Sequence, residues 1–261
     1  MGRVRTHGLK ALLGTGFVAL LVLLIPASAL AFDDVPPGHQ YFGAISDLSG
    51  RGIISGFTAT TFGPGEPVTR QQFAKMIVLT LDIPVSESLT SPFKDVAHKP
   101  GELYPYYYVA AAANRGITTG VTATLFKPYD NITRAQVITM VVRAVDALYP
   151  GTLKSPEPGF VASWGNFSAQ HAANAATAEA NGLLAGLAPT GTALSSLNPL
   201  GFMPRGEVAQ VLHNLLELLG DAIAPPVEPP LPPVNPPVKK ESRVLRNKIQ
   251  SPTNRAADMR K

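Results

Sequence analysis

The sequence predicts an all-α fold made of three helix-loop-helix repeats, followed by a proline-rich tail. The first observation is a Gly-(Ile or Leu)-x-x-Gly step that occurs at residues 52–56, 116–120 and 182–186. The second is an apolar stripe with helical spacing near each step. The third is an arginine downstream of each step, namely Arg70, Arg134 and Arg205. Because these features recur in one order, we take the repeats as the architecture of the chain.

Residues 1–31 form the first predicted segment, an export signal. A basic start with Arg3, Arg5 and Lys10 precedes an apolar run from residue 11 to 25, and Ala29-Leu30-Ala31 fits the small-x-small pattern of a cleavage site. The apolar run is shorter than the roughly 20 residues that span a bilayer, which favours a cleaved signal over a retained membrane anchor. The mature protein is expected to begin near Phe32.

The first helix of repeat 1 is predicted from an apolar stripe at positions i, i+3 and i+6, formed by Phe42, Ile45 and Leu48. Gly52 is expected to follow its last turn, because glycine accepts the positive φ of a helix C-terminus. The stretch from residue 56 to 68 contains several Gly and Pro residues, which indicates a structured loop.

The second helix of each repeat is predicted to start at a capping residue. Thr69 with Gln72, and Thr133 with Gln136, have the spacing of a capping box. Repeat 3 has Pro204 at this position, which the start of a helix tolerates. Apolar core stripes follow all three starts, so we expect the three second helices to pack together.

From Ala224 onward the composition changes. Eight prolines between Pro225 and Pro237 favour an extended, stiff spacer, and the basic end that follows is expected to be disordered. The predicted organisation is a signal peptide at 1–31, repeats at 32–86, 87–152 and 153–222, a Pro-rich linker at 223–240 and a basic disordered tail at 241–261.

Charge and residue types exclude several functions. The chain has a formal net charge of +4, but residues 32–223 carry 11 Lys or Arg against 15 Asp or Glu. An acidic body argues against nucleic acid as a partner. There is no cysteine, and the five histidines show no metal-ligand spacing. Since no paired carboxylates or activated nucleophile stand out either, we expect no catalysis and no cofactor.

The strongest chemical feature is the arginine in the first turn of each second helix. A cation there opposes the helix dipole at a cost of about a few tenths of a kcal/mol, so its recurrence needs a reason. One reason is an anion site, in which the guanidinium and the helix-end amides hold a carboxylate or a phosphate. The other is a structural ion pair, for example with Asp34 or Asp95. The residue chemistry alone leaves both open.

These motifs resemble a known family. The Phe-x-Asp-Val start at Phe32 and Phe93, the Gly-Ile-x-x-Gly step and the Thr-Arg-x-Gln helix start are similar to the S-layer homology repeat, over about 190 of the 261 residues. The resemblance implies a pseudo-threefold spindle around a central three-helix bundle. It also implies grooves that bind secondary cell-wall polysaccharide, often with a pyruvate ketal. The matching binding residues are Arg70, Arg134, Arg205, Gly56, Gly120 and Gly186, with the helix caps Thr69, Thr133, Gln72 and Gln136 beside them.

Repeat 3 departs from the pattern. Ala162 stands in place of the motif aspartate, Pro204 in place of the threonine, and Gly206 beside the arginine. We therefore expect the two better sites at Arg70 and Arg134, with Arg205 mainly completing the bundle. Aromatic side chains that could stack on sugars, with burial as the alternative, are Tyr104, Tyr106, Tyr107, Tyr108 and Trp164.

The expected function is non-catalytic anchoring at the cell surface by a secreted protein. Its expected partner is cell-wall polysaccharide, together with other surface proteins, and neither nucleic acid nor, after signal cleavage, the membrane. Two alternatives are a structural subunit of a surface layer and an anchor for a separate partner bound by the tail. An enzyme is a third, for which the chain leaves no segment to hold an active site.

Overall fold

The computed structural model describes residues 32–220, and every regular element in that range is a helix. The six α-helices are α1 Phe42–Gly50, α2 Arg70–Thr80, α3 Tyr106–Asn114, α4 Arg134–Leu148, α5 Ala172–Ala180 and α6 Arg205–Leu219, with a short 3₁₀ helix at Leu194–Ser196. The predicted all-α fold is confirmed. No helix in the described range is long and apolar enough to span a bilayer. The predicted export signal, linker and basic tail lie outside the described residues.

The second helices begin where the capping residues predict. Thr69 and Thr133 are the N-cap residues of α2 and α4. At α4 both halves of the capping box are formed: Gln136 N donates to Thr133 Oγ1 at 3.3 Å, and Thr133 N donates to Gln136 Oε1 at 3.2 Å. At α2 the returning half is formed, with Thr69 N donating to Gln72 Oε1 at 2.8 Å. Local side-chain chemistry therefore fixes these starts.

Two further boundaries also agree with the sequence. Pro204 is the N-cap residue of α6, where its missing amide hydrogen costs no helical hydrogen bond. Gly52 follows the end of α1 with a φ of +72° and donates its amide hydrogen to Ser49 O at 3.0 Å. A side chain at this φ would clash with the backbone, which is why glycine stands there.

The helices pair between repeats rather than within them. Helix α3 packs against α2, α5 packs against α4, and α1 packs against α6. A first helix thus covers the second helix of the preceding repeat, and the first repeat closes onto the last. The second helices meet through α6, which contacts both α2 and α4. No repeat buries its apolar faces alone.

Three backbone hydrogen bonds join the segments before α2, α4 and α6 into a closed ring. Val68 N donates to Met203 O at 3.2 Å, Met203 N to Ile132 O at 2.9 Å, and Ile132 N to Val68 O at 2.8 Å. All three side chains are fully buried. One contact is therefore made three times, each time between different repeats, and it brings the three helix starts together.

The beginning of repeat 3 differs from those of repeats 1 and 2. Phe32 and Phe93 are buried, and their rings lie 5.3 Å from the rings of Phe62 and Phe126 respectively. Phe160 stands upstream of the glycine step of repeat 3 as they do in repeats 1 and 2, but it is 40% exposed. Repeat 3 thus lacks both the motif aspartate, which is replaced by Ala162, and the buried phenylalanine ring.

Candidate functional site

The motif aspartates hold the loops that carry Phe62 and Phe126. Asp34 accepts the amide hydrogen of Phe62 at 2.8 Å and that of the next residue at 2.7 Å. Asp95 does the same at Phe126, with the same two distances. Burial raises the pKa of each carboxyl, but the backbone hydrogen bonds outweigh it and leave the pKa below its usual value. These carboxylates therefore bind loop amides rather than a guanidinium group.

Arg70 and Arg205 reach the same loops from a different repeat. Arg70 Nε donates to Phe126 O at 2.7 Å, and Arg205 Nε donates to Phe62 O at 3.0 Å. Each guanidinium also lies over the ring of that phenylalanine, 4.7 Å and 4.3 Å from the centroid respectively. Only 5% of Arg70 and 6% of Arg205 is exposed, and this burial lowers the pKa of both side chains.

The helix-end amides near these arginines are occupied by the protein itself. Arg70 N donates to Asp130 O at 3.0 Å, and Arg205 N donates to Glu66 O at 2.9 Å. Arg134 N likewise donates to Gly201 O at 3.0 Å. An anion held jointly by guanidinium and helix-end amides, as one interpretation of the sequence required, would have to displace these carbonyls. The backbone amides of the three arginines are therefore not free for a ligand.

Both buried arginines keep part of their hydrogen-bonding capacity. Within the described part of the chain, Arg70 donates only through Nε, so its two Nη groups have no protein acceptor. Arg205 also donates from Nη2 to Ser55 O at 2.6 Å, so among the described residues its Nη1 group is the one without a protein acceptor. A charged donor that is nearly buried and unpaired is costly, so each site favours an anionic acceptor.

Arg70 lines a cavity of about 170 Å³ beside α4 and the segment just before α5, which we call the α4–α5 cavity. No carboxylate is among the described residues that line it. The predicted site residues Gly120 and Gln136 lie in its wall. The complete lining is Arg70, Thr118, Thr119, Gly120, Val121, Gln136, Thr139, Met140, Arg143, Gln170 and His171.

Arg205 lines a second cavity of about 180 Å³ beside α2 and the start of α3, which we call the α2–α3 cavity. Among the residues described, no acidic side chain lines this cavity either. Lys75 Nζ lies 5.5 Å from the ring centroid of Tyr104, one of the candidate stacking side chains. The lining is Ile53, Ile54, Ser55, Gln72, Lys75, Met76, Tyr104 and Arg205.

Arg134, the third arginine, is neutralised inside the protein. Its Nε and Nη2 donate to the two carboxylate oxygens of Glu207, both at 2.6 Å, and Nη1 donates to Asn198 O at 3.2 Å. The side chains of Arg134 and Glu207 are only 11% and 7% exposed. The structural ion pair that the sequence left open is thus formed at this arginine, with Glu207 and not with a motif aspartate.

The third glycine step is also bonded within the protein. Gln40 Nε2 donates to Gly186 O at 2.8 Å and to Ala188 O at 2.9 Å, and the Tyr41 hydroxyl donates to Leu187 O at 2.9 Å. These contacts tie the segment before α1 to repeat 3. The sequence favoured Arg70 and Arg134 over Arg205, whereas the structure places Arg70 and Arg205 at the two cavities.

Gly56 and Gly120 are required by the protein's own packing. A Cβ atom at Gly56 would lie 2.6 Å from Phe32 Cε1, and one at Gly120 would lie 2.4 Å from Phe93 Cε1. The motif phenylalanine therefore needs the glycine opposite its ring, whatever ligand is bound. Gly120 also lines the α4–α5 cavity, so a role in admitting a sugar stays open at that position.

Lys75, Arg143 and His171 are cavity residues that the sequence did not single out. Each is near a helix-start arginine of another repeat, and spacing along the chain does not reveal that neighbourhood. Of the candidate aromatic side chains, Tyr107 is buried, and Trp164 packs against the core while its Nε1 donates to Leu194 O at 2.9 Å. Tyr104 lines the α2–α3 cavity.

The family model of the S-layer homology domain matches residues 31–74 and 92–138. Both matched regions of the chain are therefore S-layer homology domains. The two matches fall in repeats 1 and 2, and the third repeat rests on the sequence pattern and on the contacts described above. S-layer homology domains mediate anchoring to the cell wall, and the chain is a secreted, cell-surface protein, as the sequence predicts.

Similar proteins include enzymes and surface-layer proteins. The chain is 39% identical over 122 residues to an endoglucanase of Bacillus sp. (strain KSM-635), which covers 47% of the chain and 12% of the enzyme. It is 33% identical over 138 residues to S-layer protein EA1 of Bacillus anthracis, covering 52% and 16%. It is 29% identical over 213 residues to exoglucanase XynX of Acetivibrio thermocellus, covering 78% and 18%. The chain thus spans less than a fifth of each relative, and glucanases share this part with a surface-layer protein.

Proposed function

We propose that residues 32–220 anchor the protein by binding secondary cell-wall polysaccharide in the α2–α3 and α4–α5 cavities. The observation that carries this proposal is the pair of nearly buried arginines, Arg70 and Arg205, whose free Nη groups line cavities without a carboxylate. A guanidinium fork matches a carboxylate or a phosphate, so an acidic sugar substituent would satisfy these donors. A pyruvate ketal is one such substituent.

The two cavities also offer contacts for the rest of a sugar. Tyr104 presents an aromatic ring in the α2–α3 cavity, and an apolar sugar face can pack on such a ring. The α4–α5 cavity offers hydroxyl and amide groups from Thr118, Thr119 and Gln136 instead. Binding of this kind involves no bond making or breaking, and the proposal assigns the described body no catalytic role.

A structural subunit of a surface layer is the second candidate, favoured by the similarity to S-layer protein EA1. It would use the same cavities for attachment but would also require the chains to assemble. Light scattering of the mature protein, with and without calcium, separates the two. Growth of large particles would favour the subunit, and a constant monomer would favour an anchor that acts alone.

Co-sedimentation with cell walls tests the proposal. The protein should sediment with intact walls and stay in solution after the secondary polysaccharide has been extracted. Replacing Arg70 and Arg205 together by glutamine should abolish sedimentation while the helical circular dichroism persists. A matched control replaces Arg134 and Glu207 together by glutamine, which removes one guanidinium without leaving a bare carboxylate, and it should bind normally. Equal sedimentation with intact and extracted walls would contradict the proposal.

A further inference from the structure

We propose that the α4–α5 cavity is a two-point anion site for a glycan that carries two negative charges. Arg70 forms one point, and Arg143 together with His171 forms the other. In this arrangement His171 takes up a proton when the ligand binds. The inference rests on the proposed function, but it concerns one of the two cavities only and names the charge of its ligand.

The first observation that supports a second anion-binding point is the position of Arg143. It lies on α4, is partly exposed, and lines the same cavity as Arg70. None of the carboxylates in the described range lies within 4.0 Å of its guanidinium. Two permanent positive charges therefore share a cavity of about 170 Å³ without a counter-charge in its wall. Such a concentration of one sign of charge attracts a ligand of the opposite sign, and two charges suit a doubly charged one.

The second observation that supports this anion-binding point is the hydrogen bond of His171. Its Nδ1 lies 2.7 Å from the hydroxyl oxygen of Thr139, a side chain that is only 2% exposed. A hydroxyl can donate to a neutral ring nitrogen or accept from a protonated one, so this hydrogen bond holds the ring in place in both states. The imidazole can therefore titrate without leaving the cavity.

The groups around His171 decide which protonation state its ring has before a ligand binds. Burial, and then the charge of Arg143, lower the pKa of His171, so the ring is neutral near pH 7. The charged groups that face it are Arg143 from α4 and Arg70 from the start of α2, and no further charged side chain of the described residues lines the cavity. A bound anion offsets both cations and so favours the protonated ring.

The α2–α3 cavity provides an internal comparison. It contains Lys75 and Tyr104 beside Arg205, and no histidine is among the described residues that line it. Proton uptake on binding is therefore a property of the α4–α5 cavity. If the pKa of His171 is higher in the complex than in the free protein, affinity rises as the pH falls through the bound-state value and levels off below the free-state value.

Histidine-selective NMR of the full chain tests this with sulfate, an anion that keeps two charges across the whole pH range. The five histidines give few signals, and His171→Gln assigns the one of interest. We expect sulfate to raise the pKa of His171 by about one unit, compared with sodium chloride at equal ionic strength. That shift corresponds to an affinity about tenfold higher at a pH below both pKa values than at pH 8. Arg143→Gln should reduce both effects, and His213→Gln should retain them.

An unchanged pKa of His171 in saturating sulfate would overturn the inference. So would an equal pH dependence of sulfate binding in His171→Gln and in the unaltered protein. Cell-wall binding distinguishes this failure from failure of the proposed function. Wall binding that depends on Arg70 but not on pH would support the anchoring function and contradict the two-point site. A response of His171 to sulfate without any wall binding would contradict the anchoring function instead.

Discussion

At the scale of single residues, three arginines at matching positions meet different neighbours. Arg70 shares its cavity with Gln136 and Arg205 with Gln72, whereas Arg134 pairs with Glu207, the matching residue in the first turn of α6. Only the last neighbour is an anion, so only Arg134 is neutralised. Glu207 is visible in the sequence as a departure from the pattern. Its partner is not visible, because the two residues come from different repeats.

Replacing Arg134 by glutamine should destabilise the protein. Glu207 would be left nearly buried without its cation, and breaking such a pair costs about 3 kcal/mol of unfolding free energy. The double variant with Glu207→Gln should recover most of this loss, since repeats 1 and 2 already have glutamine there. Urea denaturation of the three proteins measures the difference. Equal stability of the single and double variants would show that the pair is not coupled.

Replacing Gly120 by alanine should be far more damaging than the same change at Gly186. Both have a positive φ, +73° and +70°, which costs an alanine about 1 kcal/mol or more. At Gly120 the added Cβ would also lie 2.4 Å from Phe93 Cε1, whereas at Gly186 its nearest neighbour, in Gln210, lies 3.5 Å away. The midpoint temperature of thermal unfolding should therefore fall much further for Gly120→Ala than for Gly186→Ala. A similar decrease for both variants would contradict this packing role.

At the scale of elements, the helix boundaries could be predicted and the loop contacts could not. Thr133 with Gln136, and Gly52, act within a few residues of themselves, so a local pattern is enough to find them. The loop at Phe126 depends on Asp95 from one side and on Arg70 from another repeat. The sequence showed both residues but left open an ion pair between each arginine and the aspartate of the preceding motif, such as Arg70 with Asp34, because it does not give the positions of the loops.

Replacing Asp95 by asparagine should loosen that loop and remove a source of acid sensitivity. The carboxylate accepts two backbone amide hydrogens, and the loss of a charged acceptor costs about 2 kcal/mol at pH 7. Its folded-state pKa lies below the usual value, so this stability is present above about pH 4 and is lost as the pH falls through the folded-state pKa. Urea denaturation at pH 7 and at pH 3 should show a smaller pH dependence in Asp95→Asn. An unchanged pH dependence would exclude this role.

At the scale of the whole molecule, the structural unit differs from the sequence repeat. Repetition along the chain predicted the number and order of helices. It did not predict that α1 packs against α6, or that Arg70 and Arg205 each donate to a loop of another repeat. Which of the three arginines line a cavity could not be predicted for the same reason, since each cavity is lined by residues from different repeats. The pseudo-threefold spindle and the repeat boundaries stay predictions.

Truncation after residue 153 should abolish cooperative folding. It removes α5 and α6, so α1 and α4 would each lose the helix that covers them, and the hydrogen-bonded ring at Val68 and Ile132 would lose Met203. Circular dichroism during thermal unfolding and amide hydrogen exchange measure the result. A truncated chain with a sharp transition and protected amides would show that the first two repeats fold without the third.

The most direct test of the anchoring account is the stoichiometry of glycan binding, measured by isothermal titration calorimetry with fragments of purified secondary cell-wall polysaccharide. The account predicts two sites per chain, lined by Arg70 and Arg205. Arg70→Gln and Arg205→Gln should each leave one site, and the control with Arg134→Gln and Glu207→Gln should keep two. Three sites in the unaltered protein, or loss of a site in that control, would contradict it.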